Sequence, residues 1–360
     1  MSRRVLAVGA GMALGIIEEG RKYGMDGALV EIVPDRRKRA ADRLGVPGYE
    51  TIQQALAAHD DFVGAYIATP NDTHAELAIA LAPLNIPVFM EKPLGINQEQ
   101  CRRVVDAYRN SKGWLQIDFE YRFSPLYAHA AEILDSGEAG ELRSIYAEYT
   151  VGPYPPSHGW RLDPDKAGGM FCEKLCHFID LFRFWSHGEY AEMRVDAGPN
   201  GLDYYADNST DNIVAQFVMD SGVFANLIHT HGSTALPAGR PTQQTDWTEY
   251  GHRLAVYLNT TVGCIRIDIW TQTITVIRRD PDDEMAPRIV RRVDFKHMDF
   301  MASHHDMTGM VKDFTRRVHE GSGPRLPLED SYKTMLAVFE CDRQLQESAR
   351  RANARFKKPG

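Results

Sequence analysis

At 360 residues the chain is too long for one ordinary hydrophobic core, and two domains are expected. Hydrophobic residues make up 43% and charged residues 25%, an ordinary globular balance, and the formal net charge of -8 argues against broad binding to nucleic acid or anionic membrane. No uncharged apolar run could span a bilayer, the Arg3-Arg4 start runs into glycines and Glu18-Glu19 rather than a signal peptide, and five cysteines without a disulfide-like framework fit the cytoplasm.

The first third alternates strand and helix signals. Val5 to Val8 reads as a buried strand, then come glycines and a helix to Tyr23. Ala28 to Val33 reads as a strand, Arg37 to Leu44 as a helix, Phe62 to Ala68 as a strand and Thr73 to Leu84 as a helix. Ile86 to Met90 is a strand, Gln98 to Tyr108 a helix, and Trp114 to Phe119 closes the series. Strands regularly separated by helices imply a parallel sheet with right-handed crossovers.

After about Arg122 the pattern changes. Leu142 to Val151, Asn212 to Val218, Val223 to Thr230, Arg253 to Leu258, Cys264 to Trp270 and Thr273 to Arg278 read as strands with few helices between them, which predicts an antiparallel sheet. Helices return from His305 to Val318 and from Glu329 to Arg351. Pro281 to Glu284 reads as a solvated hairpin tip and Arg350 to Lys358 as a frayed basic end. The fold class is therefore α/β: a doubly wound parallel sheet over residues 1–122, then an α+β domain over 123–360 whose C-terminal helix can pack back on the first.

Gly9-Ala10-Gly11 follows the first strand and opens a helix, the setting in which backbone N–H groups hold a pyrophosphate. The full fingerprint wants a third glycine at position 14. Leu14 stands there, with Gly15 next, so the helix should be pushed off the strand or the turn shifted by a residue. Asp35 is read as the acid ending the second strand, placed to accept ribose hydroxyls. Arg36 beside it could instead meet a 2′-phosphate, so both NAD and NADP stay open, NAD ahead.

Glu91-Lys92-Pro93-Leu94 ends the Ile86 to Met90 strand with a carboxylate, an ammonium and a proline that stops it. Ligands bind outside the carboxyl ends of parallel strands, which puts Lys92 toward a ligand. Alone, such a lysine reads as a solvated strand end. Thr69-Pro70-Asn71-Asp72-Thr73-His74 lies one crossover earlier, and Gly168-Gly169 precedes Glu173, His177 and Asp180. Together with Asp118 to Pro125 and Trp160-Arg161, these motifs make the chain from about Val5 to Ser348 resemble the Gfo/Idh/MocA family of glucose–fructose oxidoreductase, inositol dehydrogenase and relatives.

The resemblance implies a Rossmann domain plus a domain with a large open sheet that binds substrate and forms a homodimer or homotetramer. It implies hydride transfer between a nicotinamide cofactor and a hydroxyl or keto group of a sugar, cyclitol or glycoside. Lys92 then binds substrate and relays protons, in a Lys92-Pro93 bond that is often cis. The family's acid and histidine map onto Glu173 and His177, and Gly9, Gly11, Met12, Thr69, Pro70, Asn71, His74 and Glu91 border the cofactor.

A helix would put Glu173, His177 and Asp180 on one face. His177 has the intrinsic pKa to take a hydroxyl proton, and a neighbouring carboxylate can fix its tautomer. His177 is thus read as the acid/base, Lys92 as its assistant, Glu173 as positioning or substrate-contacting, and Asp180 as structural. Glu120, Trp160 and Arg161 are further candidates for substrate contact, while Tyr146, Tyr149 and Tyr154 could line a sugar face but each alone reads as an ordinary sheet residue. His304-His305-Asp306 reads as a helix cap. No metal is expected: Cys172, Cys176 and His177 lack a second cysteine pair, and Lys92 and Lys174 oppose a cation on Glu173, His177 and Asp180. The other functions weighed are a hydrolase or lyase that uses bound NAD for transient oxidation, and a non-catalytic dinucleotide-sensing regulator.

Overall fold

The computed structural model describes residues 3–153, 160–202, 204–205, 210–231, 253–283 and 285–356. The chain divides into two units. The first holds residues up to Phe119 together with Asp165–Gly168 and Met307–Leu336, and the second holds Glu120–Pro164, Gly169–Asp306 and the chain from Ala337. The boundary expected at 122 thus falls just before Glu120, and the first unit takes in later segments.

In the first unit six parallel strands run β1 (Arg4–Val8), β2 (Asp26–Val30), β3 (Gly48–Tyr49), β4 (Phe62–Ile67), β5 (Val88–Met90) and β6 (Leu115–Ile117), in the spatial order β3-β2-β1-β4-β5-β6. The strands are short apolar runs because both faces are covered: Val5, Leu6, Ala7, Ala65, Tyr66, Ile67, Val88, Phe89 and Met90 are fully buried. Helix Gly15–Gly20 lies close to β2. A Cβ on Gly27 would come within 2.5 Å of Ile17, so this approach requires glycine on the strand. Helix Met307–Glu320 completes the layer, with Phe314 stacked on Phe89 at 5.5 Å and meeting Trp114 edge-on at 5.4 Å.

Among the described residues the second unit carries eight strands: β7 (Leu142–Thr150), β8 (Tyr190–Ala197), β9 (Asn212–Met219), β10 (Phe224–Thr230), β11 (Arg253–Thr260), β12 (Gly263–Asp268), β13 (Thr273–Arg279) and β14 (Pro287–Asp294). Their order is β14-β13-β12-β11-β7-β10-β9-β8. All pairs are antiparallel except β10 with β7, which run parallel. Burial alternates residue by residue along β9 and β11, so one face is packed and the other open. Helix Cys176–Ser186 lines the packed face, where Phe182 meets Phe217 at 5.9 Å. The open face exposes Tyr146, Val214, Phe224 and Ile289.

The last helix runs unbroken from Leu328 to Phe356, so its basic residues through Arg355 are helical rather than frayed. Tyr154, Glu284 and residues 357–360 lie outside the described residues.

Candidate active site

In the first unit, the carboxyl ends of β1, β2, β4 and β5 share one edge of the sheet because all run parallel. Gly9 turns the chain there at φ +106, and a Cβ on it would lie 2.3 Å from the Ala68 carbonyl oxygen. A Cβ on Gly11 would meet open space, and Met12 is half exposed. Leu14 is accommodated by a 3-10 turn, Met12–Leu14, so that the α-helix starts at Gly15.

Asp35 is not at the strand end. It sits in the first turn of helix Pro34–Leu44, after a strand that stops at Val30. Glu31 holds the strand-end position instead. It is buried, accepting from Ala10 N–H at 3.0 Å and from Val33 N–H at 2.9 Å, with Arg36 Nε 3.7 Å away. The apolar run Ala28 to Val33 hid it, because Ile32 and Val33 are exposed loop residues and not strand.

The turns after β4 and β5 are tied together by His74, whose Nε2 faces the Thr69 carbonyl at 2.9 Å and whose Nδ1 faces the Pro93 carbonyl at 2.8 Å. Asn71 is buried and donates to the Ala167 carbonyl at 3.1 Å. Glu91 is buried and accepts from the Tyr66 hydroxyl at 2.5 Å, which leaves the adjoining Lys92 at the strand end in a cis Lys92-Pro93 turn.

In the second unit, Glu173 lies in a π-helical turn, Phe171–Leu175, that feeds helix Cys176–Ser186. The wider turn breaks the α spacing on which the shared-face expectation depended. The three residues take separate partners. Glu173 meets Arg161 at 2.5 Å, and the Arg161 guanidinium lies 4.7 Å over the Trp160 ring. Asp180 is fully buried under a bidentate Arg122, at 2.5 and 2.7 Å. His177 lies beside Glu120, with Nδ1 3.4 Å from Oε2.

Glu120 opens the short turn Glu120–Phe123, and its other oxygen lies 2.7 Å from Nδ1 of His305. His305 is the C-cap of helix Phe300–His304, directly before helix Met307–Glu320, and its side chain also joins this cluster. Tyr121 stacks on His177 at 4.4 Å and meets His305 edge-on at 5.6 Å. Burial opposes charge on Glu120, but the two imidazoles beside it outweigh that and hold its carboxyl well below the usual range.

Asp342 sets the π-helical turn in place. Its carboxylate accepts from Phe171 N–H at 2.9 Å and Cys172 N–H at 2.8 Å, and burial pushes it up to about 8. Gly169, at φ +114, gives it room: a Cβ there would lie 2.4 Å from the carboxylate. Nothing in the local sequence around Asp342 marks this role. Tyr146 pairs across strands with Tyr257, and Tyr149 packs against His229 and Phe178, so both are sheet residues here.

Residues 3–119 match the model of the oxidoreductase family with an NAD-binding Rossmann fold, and residues 127–252 match the GFO/IDH/MocA C-terminal domain. A D-xylose 1-dehydrogenase (NADP(+)) of Haloferax volcanii is 32% identical over 51% of this chain and 58% of its own length. An inositol 2-dehydrogenase of Salmonella typhimurium is 28% identical over 47% of this chain and 48% of its own. The chain thus spans about half the length of the curated relatives it matches. Levoglucosan dehydrogenase, solved with NADH and levoglucosan, superposes with TM-score 0.75 at 19% identity, covering 98% of each chain. A myo-inositol 2-dehydrogenase of Lactobacillus plantarum superposes with TM-score 0.75 at 19% identity, covering 96% of this chain and 98% of its own. Both domain models in order, on a six-stranded parallel sheet followed by an eight-stranded open one, show that the chain belongs to the Gfo/Idh/MocA oxidoreductase family.

Proposed function

We propose that the chain is an NAD-dependent dehydrogenase acting on a hydroxyl group of a sugar, cyclitol or related polyol. The observation that carries this reading is the shared edge of the parallel sheet. The Gly9–Gly11 turn, Glu31, the Thr69–Asn71 turn and Lys92 all follow strand ends on that edge, where a dinucleotide and its substrate bind in such sheets. Names of relatives point to the same substrate class: xylose, inositol and levoglucosan dehydrogenases.

NAD is favoured over NADP because a buried carboxylate, Glu31, holds the position beside the glycine turn. A carboxylate accepts from ribose hydroxyls and repels a 2′-phosphate. Gly9, Gly11, Met12, Thr69, Pro70, Asn71, His74 and Glu91 border the cofactor, with His74 and Glu91 shaping the turns rather than touching it. The bound nicotinamide accepts or delivers the hydride. His177 and Lys92 handle the hydroxyl proton. Trp160 and Arg161, braced by Glu173, contact substrate. The open face of the second sheet, with Tyr146, Val214 and Phe224 exposed, is the surface for a homodimer or homotetramer. The cytoplasm is the compartment. Among the described residues no helix is long and apolar enough to cross a membrane.

The test is to titrate NAD+, NADH, NADP+ and NADPH into purified protein, then to follow NADH absorbance with D-xylose, myo-inositol and levoglucosan. Tighter binding of NADH than NADPH, with turnover of at least one polyol, is the expected result. Binding without net turnover would favour a hydrolase or lyase with a transient oxidation step, and no binding would favour a different use of the fold.

A further inference from the structure

We infer that Glu120, His177 and His305 form a binding site for one divalent transition ion, with zinc the best match to the donors. The three residues come from separate parts of the chain, the turn at Glu120–Phe123, the start of helix Cys176–Ser186 and the end of helix Phe300–His304. Their ligand atoms all lie within 4.8 Å of one another. Ligands about 2.0–2.2 Å from a tetrahedral zinc stand roughly 3.3–3.6 Å apart, so the cluster needs only a modest contraction to close on an ion.

The donor set is specific. Two imidazoles and one carboxylate suit zinc, cobalt or ferrous iron, whereas calcium and magnesium prefer oxygen alone. Three protein ligands leave a fourth position open, the pattern of catalytic rather than structural zinc. One carboxylate and two neutral imidazoles offset half the charge of a divalent ion, which lowers the cost of placing it in a buried site.

The surroundings hold the donors ready. Tyr121 packs its ring against both imidazoles, which limits their rotation. The Glu120 and His177 side chains are 2% and 6% exposed, while His305 is 29% exposed and gives an entry route.

Ion binding stands apart from the dehydrogenase reading, but its chemical consequence rests on it. An ion with an open position makes a bound hydroxyl a stronger acid, as it does bound water. His177 would then serve as a ligand through Nδ1, and acceptance of the hydroxyl proton would pass to another base.

The experiment uses the full chain, stripped with EDTA, dialysed and titrated with Zn²⁺ against a chromophoric chelator and with Co²⁺ by visible spectroscopy. We expect one ion per chain at micromolar affinity or tighter, and d–d absorption from Co²⁺ in a site of low symmetry. His305→Ala and Glu120→Gln should each weaken binding by about a hundredfold or more, and His305→Asp, which restores a donor, should recover most of it. Circular dichroism and a thermal melt of each ion-free variant show whether it is folded, including the second unit that carries the site. Lack of stoichiometric uptake by the wild-type chain would overturn the inference, and so would wild-type affinity in His305→Ala and Glu120→Gln. An NADH-binding protein without an ion would leave the dehydrogenase reading standing, with Glu120 as the direct partner of the His177 ring.

Discussion

Oε2 of Glu120 lies 3.4 Å from Nδ1 of His177, and both side chains are buried. A carboxylate on the Nδ1 side leaves Nε2 as the nitrogen available to a substrate oxygen. Glu173 pairs with Arg161. Glu120→Gln is expected to lower kcat/KM for the accepted polyol by about a hundredfold while leaving NADH affinity unchanged. Glu173→Gln should act chiefly on KM, by loosening Arg161. Steady-state kinetics with a parallel NADH titration measure both, and a large kcat loss confined to Glu173→Gln would reverse the assignment.

Gly9 and Gly15 should respond oppositely to alanine. At Gly9 the new methyl would lie 2.3 Å from the Ala68 oxygen at φ +106, so Gly9→Ala should weaken NADH binding by about tenfold or more and lower Tm. At Gly15, φ is -57 and the methyl would lie 3.6 Å from Val311, an ordinary contact. Gly15→Ala should keep NADH affinity and raise Tm by about 1–3 °C. NADH fluorescence and a thermal melt on the two variants check this.

Cofactor choice should follow Glu31. Glu31→Gln is expected to weaken NADH binding by about tenfold and to narrow the preference over NADPH. Asp35→Asn, out on its helix, should change neither by more than about twofold. Equal effects from the two substitutions would say that Glu31 only braces the turn.

Stability should fall on mild acidification because of a buried histidine pair. Burial lowers His229 to about 3, helped by Lys174, and lowers His231 well below its ordinary value, with His229 and Lys174 beside it. His229 Nδ1 faces the Tyr149 carbonyl at 2.9 Å, and His231 Nδ1 faces the Tyr205 hydroxyl at 2.9 Å. Below about 6.5 the unfolded chain takes up protons that the folded chain refuses, so stability falls as pH drops toward about 3, by up to about 1.4 kcal/mol per unit per histidine. Tm measured from pH 7 to pH 4 should fall, and His229→Gln should show a shallower slope. An unchanged slope would mean that His229 is not held neutral.

The parallel sheet was legible because its strands are apolar runs of buried-strand length, each followed by a helix signal. Edge strands β8 and β14 were not. Their sequences, Tyr190 to Ala197 and Pro287 to Asp294, carry exposed Glu192 and Arg288 and were not assigned as strands. Single motifs in the chain pointed to Lys92 and His177 as candidates. The candidate site was hidden where residues distant in the chain converge: Glu120 with His305, or Asp342 with Gly169. Nor could spacing reveal the π-helical turn at Phe171–Leu175, which sends Glu173 to Arg161 and leaves His177 to Glu120.

Helix Met307–Glu320 belongs to the unit built around the parallel sheet, and it puts Phe314 against Phe89 and Trp114. During synthesis, therefore, all six parallel strands leave the ribosome long before the helix that covers Phe89. The whole eight-stranded sheet is made in the interval. For that period the nascent chain carries an uncovered apolar face on its first unit, which makes it a client for chaperones that shield such surfaces. A stop anywhere before Met307 would leave that face bare permanently, so the chain up to Phe119, although it contains every strand of the first sheet, is not a self-sufficient fragment.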